Sequence, residues 1–209
     1  MLHDLETLTG SKVIASDGEI GRAGDFLFDD QSWTIRYMAV DVRAWLARRD
    51  VVLAIAAVEH PDWTERTFQV YLTKEQVRNS PEVDAEKPVS RQQQIAMEEY
   101  FGPLAGWIDR KFGGLSSMPT GRDYPLHTRE DSHLRSVRNL SGYAVWAEDG
   151  EVGRLTGFIL SDSGWRLSYL DVSAGDWLLN RSMLIPTRWV ESISWADHRV
   201  NLHHSRETL

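Results

Sequence analysis

The sequence predicts a mainly β protein, two small β-barrels in tandem joined by a partly helical connector, on three observations. The chain repeats itself at a constant spacing, each copy carries an Asp-Gly hairpin signal, and the segments around it alternate apolar and polar residues. The repeat comes first because a fixed internal period decides the layout of a fold. LTGSKVIASDGEIGRAGDFLFDDQSWTIRYMAV, from Leu8, realigns without a gap on LSGYAVWAEDGEVGRLTGFILSDSGWRLSYLDV, from Leu140. The shift is 132 residues and holds from Leu8–Val77 onto Leu140–Leu209. Rare residues stay in register: Trp33 with Trp165, Trp45 with Trp177, Trp63 with Trp195. Coincidental strand periodicity would not align them. The expected division is residues 1–77 for the first barrel repeat, 78–139 for the connector and 140–209 for the second repeat.

Each copy opens with a hairpin. Asp17-Gly18 and Asp149-Gly150 sit between short apolar runs, the strongest two-residue hairpin signal, and a type I′ turn there needs positive φ at both residues. Gly21 and Gly153 then read as bulge or turn glycines. Trp33, Ile35 and Tyr37 alternate with polar residues as a half-buried strand does, and Trp165, Leu167 and Tyr169 repeat the pattern. After Tyr37 the apolar parity shifts to Met38, Val40 and Val42, which predicts a bulge or a strand covered on both faces. Further strands are expected at Val51–Ala56 and Met183–Ile185, then a hairpin through Pro61-Asp62-Trp63 and one through Trp195-Ala196-Asp197. Thr73-Lys-Glu-Gln76 has the form of a capping box; Ser205 is its counterpart, with Thr208 in place of the Gln. Seventy residues holding five or six short strands suit a small barrel.

The connector differs in kind. Ser90 can cap a helix reaching about Phe101, and Pro103 suits the first turn of another, with Leu104, Trp107, Ile108 and Phe112 on one stripe. Leu115 to Asn139 reads as loop.

Composition narrows the function. The 209 residues carry no cysteine, which removes disulfides, thiolate metal sites and a cysteine nucleophile, and fits a reducing compartment. A net charge of -8 argues against a general nucleic-acid binder, whose affinity rests on Lys and Arg. The longest apolar run, Val51–Val58, is too short to span a bilayer. The start, MLHDLETLTG, lacks the features of a secretory signal, so the expected location is cytoplasmic.

Candidate chemistry is sparse. Gly18, Gly21 and Gly24 lack the following helix and lysine of a phosphate loop. The acids Asp17, Glu19, Asp29 and Asp30 read as solvated turn residues. The histidines have no metal-helix spacing, and His203-His204 at a strand end face opposite ways. No catalytic, cofactor or metal site is therefore assigned. Trp33, Trp165, Tyr37 and Tyr169 read as core. Trp45, Arg49, Trp177 and Arg181, with Trp107 of the connector, form the candidate interaction surface, because Trp and Arg are favoured hot-spot residues.

The pattern G-x-x-V-x-x-x-D-G-E-[IV]-G-R, followed by F-[LI]-[FL]-x-D and W-x-[IL]-x-Y, occurs in both copies and resembles the PRC-barrel family. DSHLRSVRNLSGY, from Asp131 to Tyr143, is similar to the segment in two-barrel bacterial members. The resemblance implies a non-catalytic adaptor or assembly module and brings no catalytic residue with it. A protein partner, with no cofactor, is thus the expected reading, and a homodimer is compatible with it. Two alternatives are a small ligand held in a groove between the barrels, and peripheral association with a photosynthetic or electron-transfer membrane complex. The latter follows from the family's place in the reaction-centre H subunit.

Overall fold

The computed structural model describes residues 1–43, 46, 50–81, 93–102, 133–174 and 181–209. The fold is mainly β, as predicted. In chain order the first strands are β1 (Leu2–Asp4), β2 (Lys12–Ala15), β3 (Gly18–Asp29), β4 (Thr34–Asp41), β5 (Asp50–Ala54), β6 (Val58–Asp62) and β7 (Thr67–Val70). A short helix α1 (Lys74–Arg78) and a helix α2 over residues 93–102 follow. Then come β8 (Leu134–Ser136), α3 (Val137–Leu140), β9 (Ala144–Ala147), β10 (Gly150–Ser161), β11 (Arg166–Ala174), β12 (Arg181–Pro186), β13 (Val190–Ser194) and β14 (Arg199–Leu202).

The chain forms two compact units. One comprises Leu8–Asp29 and Ile35–Ser136; the other comprises Met1–Thr7, Asp30–Thr34 and Val137–Leu209. They are called here the copy-one and copy-two units. In the copy-one unit the strands are ordered β6-β7-β2-β3-β4, with β5 on β4 and β8 on β3. The copy-two unit runs β13-β14-β9-β10-β11, with β12 on β11 and β1 on β10. In both, the pairing that joins the last hairpin to the first is parallel: Val13 faces Phe68, and Val145 faces Val200.

Alternation buries one face of each sheet. Val13 and Ala15 on β2, Phe68 and Val70 on β7, and Ile20 and Ala23 on β3 are buried, and the residues between them are more open. Phe26 meets Phe68 edge-on, with ring centroids 6.2 Å apart. In the copy-two unit Val145, Leu155, Phe158, Leu167, Val172 and Val200 do the same work.

The parity shift after Tyr37 has its explanation here. Tyr37, Met38, Ala39 and Val40 are all buried, so this part of β4 is covered on both faces. One cover is α2, whose Phe101 ring lies 6.1 Å from that of Tyr37 and whose Met97 is fully buried. The Tyr100 hydroxyl donates to the Gln76 carbonyl at 2.6 Å and ties α2 to α1. The capping box at Thr73 is complete, with side chain and backbone of Thr73 and Gln76 bonded reciprocally. In the second copy Thr208 cannot reach back as Gln76 does, and Arg206–Thr208 is a single 3-10 turn without a side-chain cap.

Burial of the Tyr37 phenol pushes its pKa up to about 12. An unfolded tyrosine ionises near 10. The native state therefore keeps a proton that the unfolded state loses, and the contribution is present below pH 10 and lost as pH rises to about 12. Alkaline unfolding should show a loss of about 2–3 kcal/mol across that window, and Tyr37→Phe should flatten it.

Three expectations are corrected. Leu115–Asn139 is not all loop: Leu134–Ser136 pairs with β3 and Val137–Leu140 is helical, while the lead before Leu8 contains β1. Strands of three residues are too short to show a period, and a partner strand supplies their backbone bonds. Trp33 and Trp165 are core as expected but not strand residues. They end the turns before β4 and β11 with φ of 57° and 55°, which a bulky side chain rarely adopts. Their near-complete burial offsets that cost, and the Trp33 carbonyl accepts from Leu167 N at 2.8 Å. The third correction concerns the Asp-Gly turns and follows below. Of the predicted connector helices, α2 covers the end of the first. Ser90, Pro103 and the stripe from Leu104 to Phe112 lie outside the described residues.

Candidate functional site

The predicted turn residues act together in each unit. Ala15 pairs with Gly18 and Ala147 with Gly150, so the two-residue loops are Ser16-Asp17 and Glu148-Asp149, one position earlier than the sequence implied. Only the glycines have positive φ, 129° at Gly18 and 148° at Gly150. The aspartates are thereby freed for another task. Asp17 Oδ1 accepts the backbone N–H of Lys74 at 2.8 Å, and Asp149 Oδ1 that of Arg206 at 2.8 Å. Each carboxylate meets the first N–H of the short helix that closes its copy, where orphan donors need an acceptor. Gly18→Val should lower stability by about 1 kcal/mol or more, read from the urea midpoint, because valine disfavours that φ.

Gly21 and Gly153 have a different reason. The ladder skips Ile20 and Val152, a one-residue bulge in β3 and in β10. A Cβ at Gly21 would lie 2.0 Å from the Asp41 carbonyl oxygen, and one at Gly153 would lie 2.1 Å from that of Ser173. Arg22 donates to the Gly10 carbonyl at 2.9 Å and Arg154 to that of Gly142 at 3.4 Å. The shared Gly-Asp-Gly-Gly-Arg residues of the two copies thus close hairpins and fix strand approach.

Of the predicted interaction residues, Trp45, Arg49, Trp107 and Trp177 lie outside the described residues. Arg181 opens β12, its backbone opposite Ala174. Next to the segment holding Trp45, Arg43 donates to both carboxylate oxygens of Asp41. That hydrogen bonding holds the Asp41 carboxyl below its usual range.

A second surface appears on the outward side of β9, β14 and β13. Ala144 and Trp146 alternate with buried Val145 and Ala147, and Arg199 and Asn201 alternate with buried Val200 and Leu202. Trp146 pairs with Asn201 across the parallel ladder. The Arg199 guanidinium lies over the Trp146 ring, 4.0 Å from its centroid, and Nε makes no hydrogen bond there. Asn201 donates to Ser192 Oγ at 3.0 Å. Beyond the end of β14 Trp189 stacks on His204 at 4.4 Å, and the His203 ring lies 4.5 Å from that of His204, so the two histidines do not face opposite ways as strand residues would. The 132-residue shift places Ile14, Thr67, Ala57 and Leu72 at the positions of Trp146, Arg199, Trp189 and His204. The patch is therefore peculiar to the second copy. The alternation that turns Trp146 outward was readable in the sequence; its pairing with Arg199 needed the parallel register of two segments more than fifty residues apart.

Chemically the patch offers a flat aromatic and cationic surface with polar neighbours. Among the described residues no group of three His, Asp or Glu side chains could hold a metal ion. No described helix is long and apolar enough to cross a membrane. No protein-family model matches the chain, and no curated protein matches it.

Proposed function

We propose that the chain is a non-enzymatic interaction or assembly module, built from two PRC-type barrels joined by a partly helical connector and working in the cytoplasm on a protein partner. The observation that carries this reading is the Arg199–Trp146 pair on the face of β9 and β14, with the Trp189–His204 stack beyond the strand end, aromatic and cationic groups that are only partly buried. Trp and Arg that keep part of their surface open are the residue types on which partner binding most often depends. The motif repeated in both copies, and the strand order common to the two units, support the family reading. Trp45, Arg49, Trp107, Trp177 and Arg181 belong to the same proposal as further contact residues.

The test compares two baits in affinity capture from the native host, the unchanged chain and Trp146→Ser/Arg199→Ser, with mass spectrometry of what is retained. A partner held by the patch should fall at least about tenfold on the variant, the loss of about 1.4 kcal/mol or more that a hot-spot pair carries. The variant should keep the parent melting temperature. Equal recovery on both baits would remove the patch from the argument, and reproducible turnover of a small molecule would overturn the non-enzymatic reading.

A further inference from the structure

Each unit contains the short strand that leads the other copy: β1 is added to β10, and β8 is added to β3. The two registers are equivalent. Leu2 faces Ser161 and Leu134 faces Asp29, so Asp4 and Ser136 occupy matching positions on the two leading strands. The matching positions on the receiving strands are Gly157 and Asp25.

We infer that the pairs Asp25 with Ser136 and Gly157 with Asp4 decide which leading strand each sheet accepts. Asp25 is 2% exposed and Ser136 4% exposed. The Ser136 hydroxyl donates to Asp25 Oδ2 at 2.5 Å, and Phe26 N donates to Oδ1 at 2.7 Å. A buried carboxylate only accepts, and it needs donors on both oxygens. β8 brings one. β1 in the same register would bring the Asp4 carboxyl in place of the hydroxyl, an acceptor that can bond to Asp25 only if one of the two takes up a proton. β10 imposes no such demand. A Cβ at Gly157 would have only Asp171 Cβ in reach, at 4.0 Å, and Asp4 uses its own Oδ1 to accept Glu6 N at 2.9 Å. One hydroxyl, one buried acid and one glycine therefore distinguish two edges that share backbone geometry, and the wrong pairing is disfavoured because it replaces the donor on Asp25 with a second acid.

The chain has no cysteine, so introduced pairs report pairing directly. Leu2→Cys with Ser161→Cys should close an intramolecular disulfide, and Leu2→Cys with Asp29→Cys should not. Exchanging only the leading-strand residues, Asp4→Ser with Ser136→Asp, should cut the first disulfide at least threefold and let the second form. Unchanged yields of both, or a disulfide-linked dimer in place of the intramolecular bond, would overturn the inference. Urea unfolding gives an independent reading. Ser136→Asp should lower the midpoint, and adding Asp25→Gly should restore most of the loss by recreating the β10 arrangement. Strictly additive midpoints would refute the pairing rule.

Discussion

Gly21→Ala and Gly153→Ala are expected to be the most damaging single methyl additions in the protein. The added Cβ at Gly21 would stand 2.0 Å from the carbonyl oxygen and 2.9 Å from the carbonyl carbon of Asp41. At Gly153 it would stand 2.1 Å and 2.9 Å from the same atoms of Ser173. These obstacles are backbone, not the movable end of a side chain, so relief requires parting two strands. β10 is bonded to β11 on that side, with Gly153 opposite Ala174 and Arg154 opposite Ser173. Moving them costs ladder bonds and opens the core beneath. The loss should exceed about 4 kcal/mol for each, in the range reserved for changes that break a named structural constraint. Chemical denaturation measures it, and soluble expression serves where the loss leaves too little folded protein. Gly102→Ala supplies the contrast, since a Cβ there meets nothing within 4 Å. A shift smaller than about 1 kcal/mol at Gly21 and Gly153 would mean that the bulges do not hold the strands as close as described.

Phe26→Ala and Phe158→Ala come next. The two rings are each 1% exposed and rank among the largest fully buried side chains. Phe26 packs edge-on to Phe68, and that ring in turn meets Trp63 at 6.5 Å. Truncation removes the transfer energy of the ring and leaves a cavity that the rigid hairpins around it cannot fill. About 3–5 kcal/mol is expected for each variant, with the denaturant slope unchanged. Phe158→Leu should recover a good part of the loss, because it restores volume without restoring shape.

How much of this was legible beforehand varies with the range of the interaction. Local chemistry was read well. The capping box at Thr73, the strand over Ile35–Tyr37 and the hairpins through Pro61 and Trp195 are where the residues placed them. The Asp-Gly signal found the right turn and missed its phase, since Gly18 takes the positive φ while Asp17 turns its carboxylate to Lys74. That contact joins residues fifty-seven positions apart and leaves no local trace. β1 and β8 were missed for the same reason: three residues carry no period, and their partners lie far away in the chain. The parity shift after Tyr37 was correctly read as a strand covered on both faces, and one cover is α2. Of the candidate surface, Trp45, Arg49, Trp107 and Trp177 lie outside the described residues. The pair on the described surface, Trp146 and Arg199, meets only through the β9–β14 register, which composition does not encode.

The reach of β1 across the sequence also has a consequence for biosynthesis. Leu2–Asp4 leaves the ribosome more than 150 residues before its binding edge, Ile159–Ser161. At roughly 5–20 residues per second, this segment waits on the order of ten to thirty seconds for a place to dock. During that interval Leu2 and Leu5 stay solvated, even after the copy that follows them has been fully synthesised. The sheet of the copy-two unit cannot be completed until Ser161 has emerged, and a stall in the connector would leave Leu2 and Leu5 available to chaperones.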